Sequence, residues 1–238
     1  MRAFNFIITT AIILSASLVS CTSESVMDDL TATTTAAEQT VYIKTADGVA
    51  PMPANTKSVE FFSDGASDLE YAVAEEAASR SNDGLSYRSA MAKVAVNLSC
   101  ANTQLNIQVN SVRIANLYNE GSFNLPSRSQ NASWNNLSAK GDLSLSESTF
   151  TLAAEADTFE FFAIPQSNNG ISLEIDCTIC DAHGTQLWPS EGTSAVMSYD
   201  LNTQLTMGHN STMTIDLTNP DVLDAISFTG SVSDFQGE

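Results

Sequence analysis

Cys177-Thr178-Ile179-Cys180, followed at once by His183, has the look of a zinc or dithiol redox site. The residues around it argue against that chemistry. Ile171, Leu173, Ile175, Cys177 and Ile179 alternate with Ser172, Glu174, Asp176 and Thr178, a pattern that predicts a half-buried strand. Successive side chains of a strand face opposite ways, so Cys177 and Cys180 cannot grip one tetrahedral metal unless the strand ends between them. Cys100 is in phase with Val94, Val96 and Leu98 on the apolar face of its own strand. A Cys100–Cys177 disulfide across a core is therefore a candidate in an oxidising compartment, and it depends on a Cα separation that only a structure supplies.

Other reactive types are sparse. The two histidines, His183 in Asp181-Ala182-His183-Gly184 and His209 in Gly208-His209-Asn210, fall in turns by composition. Neither stands in a nucleophile–base arrangement, and there is no Gly-x-Ser-x-Gly elbow, phosphate loop or His-Glu-x-x-His. Asp64 and Asp68 lack the ligand ladder of a calcium loop. The expectation is a non-enzyme with no metal and no cofactor. Tyr118, Trp134 and Trp188 could line a glycan platform, or they could anchor core and loops, since aromatic rings serve both ends.

Leu18-Val19-Ser20-Cys21 closes an apolar N-terminal run and resembles a lipobox, the site where bacterial lipoprotein leaders are cut and the new N-terminal cysteine is acylated. Arg2 supplies the positive start. Phe4 to Leu18 is apolar over roughly fifteen residues, short of the ~20 needed to span a bilayer as a helix. The reading is a leader over 1–20 and a membrane tie through lipid on Cys21, each buried methylene contributing ~0.8 kcal/mol. The full chain has 238 residues and a formal net charge of −19. That charge argues against a nucleic-acid partner and against adhesion of the protein surface to anionic lipid.

Residues 21–40 are rich in Ser, Thr, Ala and Glu and read as a disordered tether. Over 41–84 the pieces Val41-Tyr42-Ile43, Ser58 to Phe62 and Leu69 to Val73 predict a short β region. Asp68 to Arg80 is alanine-rich enough for a short helix as the alternative. From 85 to 220 the pattern is steadily β. Leu105, Ile107 and Val109 are apolar at odd positions, Val112 and Ile114 at even ones, so an extra residue near Asn110-Ser111 predicts a β-bulge. Asn119-Glu120-Gly121 reads as a turn, 126–142 as a polar loop, and Thr158 to Ile164, apolar on both faces, as a central strand stopped by Pro165. Ser194 to Leu201 and Met213 to Leu217 add strands, and 221–238 holds a last candidate, Ile226 to Val232. Many short strands with little helical periodicity indicate an all-β sandwich.

Four segments together resemble a family, the fimbrillin-like lipoproteins. Ser89-Ala90-Met91-Ala92-Lys93-Val94-Ala95-Val96-Asn97-Leu98 is similar to its H-A-M-A-K-V-x-V-x-L signature. Val112-Arg113-Ile114-Ala115-Asn116-Leu117-Tyr118 is similar to its next strand, and Phe162-Ala163-Ile164-Pro165-Gln166 to its hydrophobic-Ile-Pro-Gln motif. Leu205-Thr206-Met207-Gly208 with Met213 to Leu217 resembles its late segment. Ser89 stands where the family has histidine, and Leu205 where it has tryptophan.

The resemblance implies transthyretin-like antiparallel β-sandwiches with a short or reduced N-terminal β region. It also implies a pilus-associated or adhesive lipoprotein at the outer membrane, surface-exposed or within a fimbrium. Its partners would be other pilus subunits or surface ligands. Polymerising members lose an N-terminal strand by cleavage after Arg or Lys, and a neighbour's strand then fills the groove. Here Lys44, Lys57, Arg80 and Arg88 are the cut candidates, Val41-Tyr42-Ile43 the removable strand, and Ile226 to Val232 the donor. The alternative is a glycan- or peptide-binding lipoprotein using Trp134 and Trp188.

Overall fold

The computed structural model describes residues 39–74, 84–190 and 195–224. The expected leader, Cys21, the expected tether as far as residue 38, Arg80 and the Ile226 to Val232 segment lie outside these, while Thr40, placed in the tether, begins the first strand. Among the described residues, fourteen strands and one short helix follow in order: β1 (Thr40–Thr45), β2 (Gly48–Pro51), β3 (Ser58–Phe62), β4 (Glu70–Ala74), β5 (Arg88–Ser89), β6 (Ala92–Ser99) and β7 (Leu105–Asn124). Then come β8 (Ser133–Ser146), β9 (Phe150–Thr151), β10 (Asp157–Ala163), β11 (Ser172–Asp181), β12 (Gln186–Trp188), β13 (Val196–Asp200), β14 (Asn210–Asp216) and α1 (Asp221–Asp224). The fold is all-β, as the alternation predicts.

Three sheets form. One has the order β2-β1-β4-β5 and one β10-β6-β14. The third runs β12-β11-β7-β3, with β13 also on β11 and with β8 and β9 also on β7. Every pairing of named strands is antiparallel except β14 with β6, where Met213 faces Val96 in parallel register. The apolar phase of each long strand decides its inner face. Val94, Val96 and Leu98 of β6 meet Leu173, Ile175, Cys177 and Ile179 of β11 and Ile107, Val109, Val112 and Ile114 of β7 in one core. The expected bulge is at Asn110: Ser111 pairs with Asp176 and Val109 with Cys177, and the register shifts between Asp176 and Cys177. The extra residue is what keeps both halves of β7 facing inward.

A second core sits beyond the far end of β7. Val41 and Ile43 of β1, Val59 of β3, Tyr71 of β4 and Phe123 of β7 gather there with Leu69, Met91 and Ile164. The rings of Tyr71, Phe123 and Trp134 stack in sequence, with both neighbouring centroid separations at 5.3 Å. Within the Asp68 to Arg80 segment, Glu70–Ala74 is strand rather than helix, and residues 75–80 lie outside the described ones.

Three expectations are corrected. Asn119-Glu120-Gly121 is not a turn: it lies inside β7, where Glu120 pairs with Phe62 on one edge and Ser138 on the other. Gly121 is there for space, since a Cβ would come within 2.9 Å of Leu137 Cδ2 and 3.2 Å of the Trp134 ring. Residues 133–146 are strand, not loop; they pair with β7 but expose most of their side chains, which removes the apolar alternation. Finally, β10 is an edge of its three-stranded sheet, with β6 at the centre. It is apolar on both faces because Phe159 and Phe161 serve the first core while Phe162 packs against the second.

Candidate functional site

The four segments singled out in the sequence converge where the two cores meet. At each, the chain passes from one core to the other within a few residues. Met91 is buried in the second core and Ala92 in the first; Ile164 in the second and Ala163 in the first. Leu117 belongs to the first core and Phe123 to the second, and Leu205 is buried in the first while Met207 packs on the second. A strand that ends at such a boundary must reverse which face is apolar, which is why these segments carry special sequence.

Hydrogen bonds tie the passages together. Gly208 N–H donates to Met91 O at 2.8 Å and Lys93 N–H to His209 O at 3.0 Å. Gln166 N–H donates to Leu205 O at 3.2 Å. Trp134 Nε1–H donates to Ala90 O at 2.6 Å, with its ring against Phe61 and Phe123. Ser63, buried, donates its hydroxyl to Phe162 O at 3.2 Å, and Phe162 N–H donates to Gly65 O at 2.8 Å. Ser89 donates to Asp68 Oδ1 at 2.8 Å and accepts from Met91 N–H at 3.1 Å. The Ser89 hydroxyl thus serves the boundary at the position where the resemblance would place histidine. Burial raises the Asp68 carboxyl above its ordinary value, and the Ser89 hydrogen bond opposes that.

The N-terminal hairpin is the other candidate region. β1 lies between β2 and β4, and its Val41, Tyr42 and Ile43 are buried. β2 is exposed along its whole length. The hairpin therefore meets the body through one strand, in register with β4 from Thr40 opposite Ala74 to Lys44 opposite Glu70.

The sequence-derived site residues fall in different surroundings. Lys44 is inside β1, ion-paired to Glu70 at 2.5 Å and over the Tyr87 ring at 5.5 Å. Glu70 raises the Lys44 ammonium above its usual value, first through their hydrogen bond. Lys57 has an exposed side chain just before β3, after the turn in which Thr56 N–H donates to Pro53 O; its carbonyl accepts from Leu125 N–H. Arg88 is in β5 opposite Tyr71.

Cys100 and Cys177 are buried free thiols, and Cys180 is a half-buried one on the opposite face of β11 from Cys177. Burial pushes the Cys177 thiol up to about 12, so it stays protonated and unreactive. Trp134 packs against the second core and Trp188 against the first. His183 and His209 are exposed.

Sequence reasoning missed two boundary residues, Ser63 and Tyr118 as a backbone acceptor and donor. Nothing in a lone serine or in a strand's own peptide groups marks them out.

The model of the fimbrillin-like family matches residues 45–234. No curated protein matches the sequence. Among solved structures, the chain is similar to a protein proposed to act in cell adhesion from Bacteroides uniformis, at 12% identity and TM-score 0.41, over 76% of this chain and 87% of that one. A second such protein, from Bacteroides eggerthii, matches at 12% identity and TM-score 0.39, over 76% and 79%. The fimbrial anchor protein Mfa2 from Porphyromonas gingivalis matches at 11% identity and TM-score 0.24, over 70% and 74%.

Proposed function

The chain belongs to the fimbrillin-like family, and from that premise we propose that it is a structural or adhesive subunit of a surface fimbria that assembles by strand addition. Family membership supports the fimbrial or adhesion role and contact with other fimbrial subunits. The strand-addition step rests on the hairpin: β1 is buried by both of its neighbours' sheet and the second core, whereas β2 is exposed throughout. Removing the hairpin would bare one backbone edge of β4 and a groove beside Leu69, Met91 and Phe123. An incoming strand of alternating apolar residues would restore both. In this reading Cys21 carries the lipid that holds the unprocessed subunit at the outer membrane, and the role is mechanical and adhesive rather than catalytic.

Lys57 is the favoured cut among the described candidates. Lys44 sits in a strand paired on both edges, and Arg88 is paired to β4, so cleavage at either needs the ladder opened. Cleavage after Lys57 needs the release of the Leu125 bond and of the terminal Ser58–Asn124 pair of the β3–β7 ladder, and frees β1 and β2 together. The test is limited trypsin digestion of the chain without residues 1–21, followed by mass spectrometry and sizing. Cleavage after Lys57, loss of the hairpin and growth of polymers or uptake of an added strand peptide is the expected result. A nicked protein that keeps its hairpin and stays a closed monomer would sink the strand-addition step, and would leave the adhesive role standing.

A further inference from the structure

Along β7, one edge is interrupted where the two cores meet. β8 pairs with β7 from Val112 to Asn124. It overlaps the pairing of β11, which ends at Ala115, and that of β3, which begins at Glu120. A strand has two edges, so β11 and β3 share the edge opposite β8, with Asn116 to Asn119 between them. Asn116 has φ of 63°, and the β8 register shifts between Ile114 and Leu117. A stretch with a positive-φ residue, an irregular ladder on one edge and, among the described residues, no strand on the other is where β7 would bend.

One side chain fills that interval. Gln166 Oε1 accepts from Tyr118 N–H at 2.9 Å, and Gln166 Nε2 donates to Tyr118 O at 3.0 Å and to Ile164 O at 2.9 Å. The adjacent Asn119 O accepts from Ser63 N–H at 2.7 Å. The carboxamide presents an acceptor and donors as a peptide group does, so it stands in for the missing strand residue. Its own backbone N–H holds Leu205 O, so Gln166 joins three of the four passages between the cores.

We propose that Gln166 is a clamp that makes the two regions one rigid body by suppressing a hinge in β7 at Asn116 to Tyr118. The chemistry selects glutamine. Glutamate would lack both donors and set a charge against two carbonyls, asparagine would fall one methylene short, and methionine would fill the volume with nothing to bond Tyr118. The clamp acts whether or not the hairpin is ever removed, so it is independent of strand addition.

The experiment compares the soluble chain with its Gln166→Met and Gln166→Glu variants by amide exchange and residual dipolar couplings. In the unaltered chain, couplings from β6 and β11 and from β3 and β4 are expected to fit a single alignment tensor. In the Gln166→Met variant, which loses the acceptor, Tyr118 N–H is expected to exchange about ten-fold faster or more, while Gln166→Glu keeps that acceptor and loses the hold on Tyr118 O. The two regions should then require separate tensors while β6 and β11 keep their protection. Trp134→Phe, which removes the bond to Ala90 and keeps an aromatic ring at that position, should leave a single tensor. Two tensors in the unaltered chain, or one tensor in a folded variant, would overturn the proposal. If neither variant folds, the unaltered chain decides it: slow Tyr118 exchange that tracks global unfolding supports the clamp, and exchange as fast as exposed loops refutes it.

Discussion

The first core is built from aliphatic side chains on long strands that close on one another, whereas the second is built from rings and from residues carried at the ends of first-core strands. β6, β7 and β11 supply most of the first, with Val96, Val112 and Ile175 fully buried. The second has the Tyr71–Phe123–Trp134 stack at its middle and depends on Ala90, Met91 and Ile164, each beside a strand that serves the first. Regular alternation yields a region that stands by itself. Ring packing at strand ends yields one that leans on its neighbour, and such a region can be opened without dismantling the rest.

Truncations in the two cores test that asymmetry most strongly. Phe123→Ala removes the middle ring and is expected to cost about 3–5 kcal/mol. Its loss of amide protection should be confined to β1, β3 and β4, with β6 and β11 unchanged in native-state exchange. Ile175→Ala, at the centre of the first core, is expected to cost about 2–5 kcal/mol and to lower protection in both regions. If Ile175→Ala left β1 and β4 fully protected, the second core would be self-sufficient and the contrast would fail.

A pH titration sharpens it at the boundary. The Asp68 carboxyl is raised above 3.8 chiefly by burial and also by Glu70, against the Ser89 hydrogen bond and Lys44. The folded state therefore holds this proton more tightly than the unfolded chain. The contribution to stability is fully present below the unfolded value and is lost as pH rises through the folded one. Asp68→Asn keeps an acceptor for Ser89 and removes that loss. We expect a higher melting temperature for the variant at pH 7, with the gap closing toward pH 3; a gap independent of pH would show that Asp68 is not the group responsible. Smallest of all should be Arg113→Ala, which breaks an exposed tie to Glu174 at 2.5 Å across β7 and β11. A change of about 0.2–1 kcal/mol in urea unfolding is expected, and more than that would mean the outer face of the first region contributes as well as its core.

What could be read from the chain follows the same divide. β6, β11 and the Asn110 bulge are legible because each has one wet face and one dry face, and the period of two survives. β8 is hidden because its partner lies on one edge and most of its side chains stay in water. The interior position of Asn119-Glu120-Gly121 is hidden because a turn and a strand crossed by a tryptophan both call for glycine. β10 misleads because a strand that ends between two cores needs apolar residues on both faces, just as a central strand does. Four short motifs were visible one by one. That they meet at one boundary is a tertiary fact, and so is the hold of Gln166 on the backbone of Tyr118, 48 positions away in sequence.

The parallel pairing of β14 with β6 fixes an order in time. Antiparallel neighbours can close through a tight turn as they are made, but parallel partners must wait for a crossover. Lys93 has no partner on that edge until Asn210 arrives. During synthesis the central strand of the β10-β6-β14 sheet stays half-dressed while the N-terminal strands are already made, so the region with the most regular core is the last to be able to finish. A pause or a truncation ahead of β14 would leave β6 as a raw edge, open to whichever strand reaches it first.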